Sequence, residues 1–180
     1  MKLLMVITDL FEEVEALATL AILRRANLDV DLVSLYDDKA VGRYNISVNN
    51  LLKFKEIDYK VYDMLIIPGG PEYIAEEKDQ DFLEMVKYFA SSNKYIAAIC
   101  AAPTILGHLG LLKNKKYTCF TSMNEDFGGT YIDKYVVVDE KLITGRSCAA
   151  SIDFALAIVN TLLGKDKCDK LKQSIYYDNN

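Results

Sequence analysis

The 180-residue sequence has no tryptophan, one histidine and only three prolines. With a single His and no cysteine pair at C-x-x-C spacing, it lacks the donor clusters of a zinc site, and nothing in it calls for a metal or a cofactor. Its four cysteines, Cys100, Cys119, Cys148 and Cys168, are too scattered for a compact disulfide scaffold, so reduced thiols are expected. Nine glycines and three prolines are too few for a collagen-like or low-complexity chain. No stretch approaches the roughly 18 uncharged apolar residues needed to cross a bilayer. The opening Met1–Ile7 segment carries one basic residue and a short apolar run ended by Thr8-Asp9, which is too short for a secretory signal. It reads as a buried strand, and a cytoplasmic protein is expected. Basic residues are outnumbered, 21 Lys and Arg against 26 Asp and Glu, for a net charge of −5. Neither nucleic acid nor an anionic membrane is expected as a partner.

What is present is an ordinary globular composition, 51% hydrophobic and 26% charged, enough for one core and one domain over residues 1–180. Apolar runs at 3–7, 30–35, 64–67 and 95–99 alternate with helical periodicity. The first helix shows Val14, Leu17, Ala18, Ala21 and Ile22 at the spacing of an apolar face. Phe82, Met85, Val86 and Phe89 mark a second helix, ending near Ser91-Ser92-Asn93. Short edge strands are expected around 41–48 and 51–54, and further strands at 117–121, 135–138 and 142–144. A long helix follows with Ile152, Ala155, Leu156, Val159 and Leu163 inward, and Gly164 is placed to end it. A polar helix from about Asp166 and a frayed end at 176–180 complete the reading. Central strands apolar throughout, separated by helices, indicate an α/β three-layer sandwich, a mainly parallel sheet with helices on both faces. Ligands of such sheets bind beyond the carboxyl ends of the strands, where Thr8-Asp9, Gly69-Gly70 and Cys100 would lie.

Ala98-Ile99-Cys100-Ala101-Ala102 passes from strand to helix with almost no loop, and alanines two before and two after the cysteine allow close approach. That is the plan of a nucleophile elbow. The helix N-terminus would favour a thiolate at Cys100, and the N–H groups of Ala101 and of the Gly69-Gly70 pair could bind an oxyanion. Equally, Cys100 reads as a small apolar residue closing a buried strand. Glu12 and Glu13 read as favourable charge at a helix start, whereas Glu15 borders the apolar face. There its ionisation would be disfavoured, and it could serve as general acid or base beside the thiol.

Taken together, Glu12-Glu13-Val14-Glu15, Ile67-Pro68-Gly69-Gly70, Ala97 through Thr104 and Ile152 through Val159 resemble successive motifs of the ThiJ/PfpI superfamily. They are most similar to the branch of the human parkinsonism-associated deglycase. The resemblance spans nearly the whole chain. It implies a flavodoxin-like fold related to class I glutamine amidotransferases, a homodimer, Cys100 as an oxidisable nucleophile, Glu15 as its carboxyl partner, and Gly70 with Ala101 as oxyanion donors. One position departs from the pattern: Phe127-Gly128-Gly129-Thr130 puts Thr130 where many members carry a histidine. The single histidine, His108, falls about two helical turns beyond Cys100 and reads as structural or surface. A protease-like triad is not expected. Gly69, Thr130, Arg43 and Arg146 are candidate substrate or interface contacts, although a solvated or structural arginine is the plainer reading of the last two. Cys148 falls near the crevice mouth, Cys119 reads as strand core and Cys168 as helix surface.

The resemblance implies glutathione-independent conversion of methylglyoxal or glyoxal to lactate or glycolate, or removal of related glycation, with reactive aldehydes or glycated groups as partners. The alternative is an oxidative-stress sensor or redox-regulated chaperone working through oxidation of Cys100.

Overall fold

The computed structural model describes residues 1–177. In chain order the elements are β1 (Lys2–Ile7), a π-helical turn (Val14–Ala18) leading into α1 (Thr19–Arg25), β2 (Asp29–Ser34), β3 (Lys39–Val41), β4 (Ser47–Asn49) and β5 (Leu52–Lys53). They continue with β6 (Met64–Ile67), α2 (Tyr73–Glu76), α3 (Gln80–Ser91), β7 (Tyr95–Ile99), α4 (Ala102–His108), β8 (Lys116–Tyr117) and β9 (Thr130–Tyr131). The last are β10 (Val136–Asp139), β11 (Leu142–Gly145), α5 (Ser151–Leu163) and α6 (Lys165–Ser174). Seven strands form one sheet in the order β10-β11-β7-β6-β1-β2-β5, with only the β10–β11 pair antiparallel.

Both faces of this sheet are covered at its centre, which is why Leu3–Ile7, Met64–Ile67 and Ile96–Ile99 are apolar at every position rather than at alternate ones. Leu3, Met5, Ile7, Met64, Ile66, Ala97 and Ile99 face one core, shared with Ala16, Leu20 and Leu23 of the first helix and with Phe154, Ile158 and Val159 of α5. Leu4, Val6, Leu65, Ile67, Ile96 and Ala98 face the other, with Phe82, Met85, Val86 and Phe89 of α3 and Ile105 of α4. The expected face of α3 is therefore the observed one. No helix among the described residues is long and apolar enough to cross a membrane.

Four local expectations are corrected. Val14 is 51% exposed and Ala21 is also exposed, while Glu15, Ala16, Thr19, Leu20 and Leu23 are buried. The cause is the π-helical turn at 14–18: its wider winding shifts the phase of the following turns and rotates Glu15 inward. The strand expected at 117–121 stops at Tyr117, because Thr118 N–H donates to Thr144 Oγ1 at 2.9 Å and Phe120 N–H to Cys100 O at 2.7 Å. Those donors serve a side chain and the elbow instead of a ladder. In α5, Ile152 lies outside the buried face, which Phe154, Ala155, Leu156, Ile158 and Val159 form. Cys168 is buried, with Sγ 3.4 Å from Leu156 O, because α6 folds back onto α5 after Gly164 turns the chain at φ 83°. Tyr177 is held by its hydroxyl donating to Asp153, and the rest of the expected frayed end, 178–180, lies outside the described residues.

Candidate active site

The carboxyl ends of β1, β6 and β7 lie side by side, and each releases one part of the site. β7 runs straight into Cys100, whose φ of 65° is left-handed, a conformation that a cysteine adopts only when its surroundings impose it. The imposing contacts are explicit: Cys100 N–H donates to Gly145 O at 2.9 Å, and Cys100 O accepts from Phe120 N–H at 2.7 Å. Helix α4 starts at Ala102, with Pro103 in its first turn, where a missing N–H costs no helical bond. The chain thus turns sharply at the cysteine and leaves it partly exposed.

β6 ends at Pro68-Gly69-Gly70. A Cβ at Gly69 would stand 2.5 Å from Glu15 Oε2 and 2.6 Å from Cys100 Cβ, so the carboxyl and the cysteine converge on the one residue that has no side chain. Gly69 N–H donates to Glu15 Oε2 at 2.9 Å. Gly70 holds φ 112°, and its N–H has no acceptor among the described residues.

The segment after β1 supplies the carboxylates. Glu15 is 1% exposed. Its Oε1 has no hydrogen-bond partner among the described residues. Burial above all, with the nearby charge of Glu12, pushes its pKa up to about 7, against the opposing pull of Cys100 and the Gly69 N–H. Burial, the Glu15 charge and the Glu15 hydrogen bond push the Cys100 thiol well above its ordinary range, with only the Ala101 N–H acting the other way. This corrects the expectation of an acidified Cys100. Helix α4 has seven residues and brings one backbone donor to the sulfur, too little to offset burial beside a carboxylate.

Cys100, Glu15, Gly69, Gly70 and Ala101 are thus brought together. Thr130 opens β9, exposed, and its N–H donates to Lys115 O at 2.8 Å; it shares no hydrogen bond with Cys100 or Glu15. Arg43 is exposed, its guanidinium 5.5 Å from the centre of the Tyr44 ring. Arg146 is engaged by Asp133 at 2.6 Å and by the Tyr135 ring at 4.7 Å. His108 stands on the surface, 2.6 Å from Glu77 and edge-on to Phe127, as a surface role requires. Cys148 is exposed in the turn before α5, and Cys119 is buried. A surface cavity of about 690 Å³ between β10, α5 and α6 contains none of the converging residues.

Sequence reasoning missed the structural work of four acids. Glu12 Oε2 accepts Glu15 N–H at 2.8 Å, and Glu13 Oε1 accepts Tyr44 N–H at 2.6 Å, tying down the loop that carries Arg43. Glu72 and Glu76 are fully buried, and only Glu72 has a partner, the Thr8 N–H at 2.6 Å. Their exposed-looking surroundings, Pro71-Glu72-Tyr73 and Ala75-Glu76-Glu77-Lys78, carry no signal of burial.

A flavodoxin-like sandwich with a cysteine on a strand-to-helix elbow, set against a buried glutamate, defines a recognisable class of α/β proteins. Residues 1–161 match the model of the DJ-1/PfpI family, and the chain belongs to that family. A glutathione-independent glyoxalase of Caenorhabditis elegans is 31% identical over 163 residues, covering 89% of this chain and 87% of that protein. A deglycase of Thermococcus kodakarensis is 31% identical over 151 residues, covering 81% of this chain and 90% of that protein. The DJ-1 homologues A and B of Arabidopsis thaliana are longer: the chain spans 42% and 39% of their lengths, at 31% and 34% identity over 89% and 92% of the chain. Among solved structures, Drosophila melanogaster DJ-1beta superposes with a TM-score of 0.91 at 27% identity, covering 98% of both chains.

Proposed function

We propose that the chain is a glutathione-independent glyoxalase or deglycase acting on small reactive aldehydes through Cys100 and Glu15. The observation that carries this reading is the convergence of the cysteine and a buried glutamate on Gly69. The glyoxalase and deglycase relatives support the substrate class.

Because burial keeps the thiol protonated, attack is base-assisted. The Glu15 carboxylate accepts the thiol proton as sulfur adds to the aldehyde carbon of methylglyoxal, and the oxygen that gains charge takes hydrogen bonds from Gly70 and Ala101 N–H. Protonation of that oxygen gives a hemithioacetal. Glu15 then removes the proton from C1 and a proton is returned at C2, which converts the hemithioacetal into a lactoyl thioester without net redox change. Water cleaves the thioester to lactate and restores the thiol. A glutamate near pKa 7 suits both halves of this shuttle, because it accepts and returns a proton at little cost near neutral pH. No leaving amine has to be protonated, so the step needs no imidazole. The alternative, a sensor working through oxidation of Cys100, draws on the same thiol and carboxyl, and aldehyde turnover is what separates the two.

A homodimer fits the surface around this site. Leu10, Val14, Tyr44 and Ile46 are each at least half exposed on two neighbouring segments joined by the Glu13–Tyr44 hydrogen bond. Sedimentation of the protein against Val14→Glu tests that contact.

The test of function is methylglyoxal loss and lactate formation without glutathione. Cys100→Ser is expected to reduce turnover to background, and Glu15→Gln to lower it about a hundredfold or more. Turnover that survives Cys100→Ser would overturn the reading.

A further inference from the structure

Beside the Cys100–Glu15 pair lies a second pair of acids that the proposed reaction does not use. Glu72 and Glu76 sit one turn apart on the segment that follows Gly70, Glu72 just before α2 and Glu76 at its end, 1% and 0% exposed. Glu72 Oε2 accepts Thr8 N–H at 2.6 Å, while Glu72 Oε1 and both oxygens of Glu76 have no partner among the described residues. Two buried carboxylates side by side, without cations, would destabilise the fold severely, so the arrangement is tolerable only with protons bound. The groups that bear on them are all acidic or phenolic: Glu15 from the first helix faces Glu72, Glu77 adjoins Glu76, and Tyr36 from the loop after β2 interacts with Glu76 and Asp79. No Lys, Arg or His forms an ion pair with either carboxyl among the described residues.

The location gives this pair a consequence for the site. Thr8 ends the strand that leads to Glu15, and Glu72 stands two residues after Gly70. The Thr8–Glu72 bond therefore joins the carboxyl end of β1 to the turn that offers the oxyanion donor. The same turn is held from the other side by Glu12 N–H donating to Gly69 O at 2.8 Å and by Gly69 N–H donating to Glu15.

We propose that Glu72, backed by Glu76, is a positioning residue for the Cys100–Glu15 pair: bonded to Thr8 N–H it clamps the Gly69-Gly70 turn against the end of β1, and the clamp opens when the buried pair ionises, because two carboxylates without cations repel each other and draw the α2 segment toward water. The proposal rests on the glyoxalase reading for its effect on turnover, but the clamp itself has a separate readout. Burial raises both acids well above the usual carboxylate range, with the charge of Glu76 adding to it at Glu72 and that of Glu77 at Glu76, against the opposing pull of the Thr8 N–H on Glu72.

The deciding experiment follows amide hydrogen exchange in segments 8–12 and 69–76, corrected for intrinsic rates, from about pH 6.5 to about pH 9. Wild type, Glu72→Gln, Glu76→Gln and the exposed control Glu84→Gln are compared. Glutamine keeps an oxygen for the Thr8 N–H but cannot ionise. Wild type and the control are expected to lose protection about tenfold in both segments on going to alkaline pH, while the two buried variants hold it. In parallel, the ratio of wild-type to Glu72→Gln kcat is expected to fall about threefold or more over that range, the titration of Glu15 being common to both. Equal loss of protection in wild type and both buried variants would overturn the clamp. Retention of protection in both buried variants with an unchanged alkaline fall in kcat would overturn the positioning role. Absence of turnover in every protein, with the exchange result as expected, would refute the proposed function and leave the clamp standing.

Discussion

The two ends of the central sheet are built on opposite terms. At the amino end, polar groups are satisfied: Lys94 Nζ donates to Lys60 O at 2.8 Å and to Tyr62 O, Lys141 Nζ to Asn93 O at 2.5 Å, and Lys2 pairs with Asp31 at 2.7 Å while Tyr62 donates to the same carboxylate at 2.6 Å. At the carboxyl end, buried polar atoms are left over. Six buried side-chain oxygens lack a partner among the described residues, and five of them belong to Glu13, Glu15, Glu72 and Glu76 around the elbow. Left-handed backbone occurs at both ends, but at the amino end it falls in the turns at Asn27, Asn93 and Glu140, whereas at the carboxyl end it falls on Leu10 (φ 74°) and on Cys100 itself (φ 65°). The amino end is where the fold is fastened, and the carboxyl end is where stability is given up so that groups stay available for chemistry.

If that contrast is right, the largest effect comes from filling the gap between nucleophile and base. Gly69→Ala places a methyl group 2.5 Å from Glu15 Oε2, 2.6 Å from Cys100 Cβ and 2.8 Å from Ile99 O, and neither backbone nor elbow can retreat. Turnover is expected to fall to the Cys100→Ser level, with a loss of roughly 1 to 3 kcal/mol in denaturant unfolding. Near-normal turnover would mean that the two groups do not act across Gly69.

The second prediction separates stability from activity at a single residue. Glu15 has a folded pKa raised above its unfolded value, so the native state binds the extra proton, and stability falls as pH rises from about 4.5 to about 7. Glu15→Gln removes that loss. Above pH 7 the variant is expected to be more stable than wild type by on the order of 2 kcal/mol, while its turnover collapses. Thermal midpoints at about pH 5 and about pH 8 check it, since the two proteins should diverge only at the higher value. Parallel midpoints would mean that Glu15 carries no unfavourable charge in the fold.

The amino end, and the sheet as a whole, could be read from the sequence, because a buried parallel strand is apolar without interruption and its helices repeat at 3.6 residues. Met64–Ile67 and the four inward residues of α3 needed no tertiary information. The elbow was legible from Ala98-Ile99-Cys100-Ala101-Ala102 on similar grounds: a strand and a helix that cross closely at a sharp turn require small residues on either side of it. What periodicity could not supply lies at the carboxyl end. The π-helical turn at 14–18 changes the phase of the first helix, so a count in steps of 3.6 put Val14 inside and left Glu15 at the margin. Glu72 and Glu76 were invisible because glutamate in a polar stretch signals solvent, and only the tertiary fold shows that α2 is tucked against Thr8. The direction of the Cys100 shift was missed because a helix N-terminus is legible in sequence, whereas burial beside an ionised carboxylate is not.

The smallest effect belongs to the fastened end, and it is the control on the comparison. Lys94 bridges the carbonyls of Lys60 and Tyr62, joining the segment before β6 to the start of β7, far along the strands from Cys100. Lys94→Ala leaves two carbonyls to find water at a partly exposed site, which should cost about 1 kcal/mol in denaturant unfolding. Turnover, and its dependence on pH, should not move. A variant that kept its stability but lost activity would show that the amino end is coupled to the site, and the division between a fastened edge and a reactive one would then have to be abandoned.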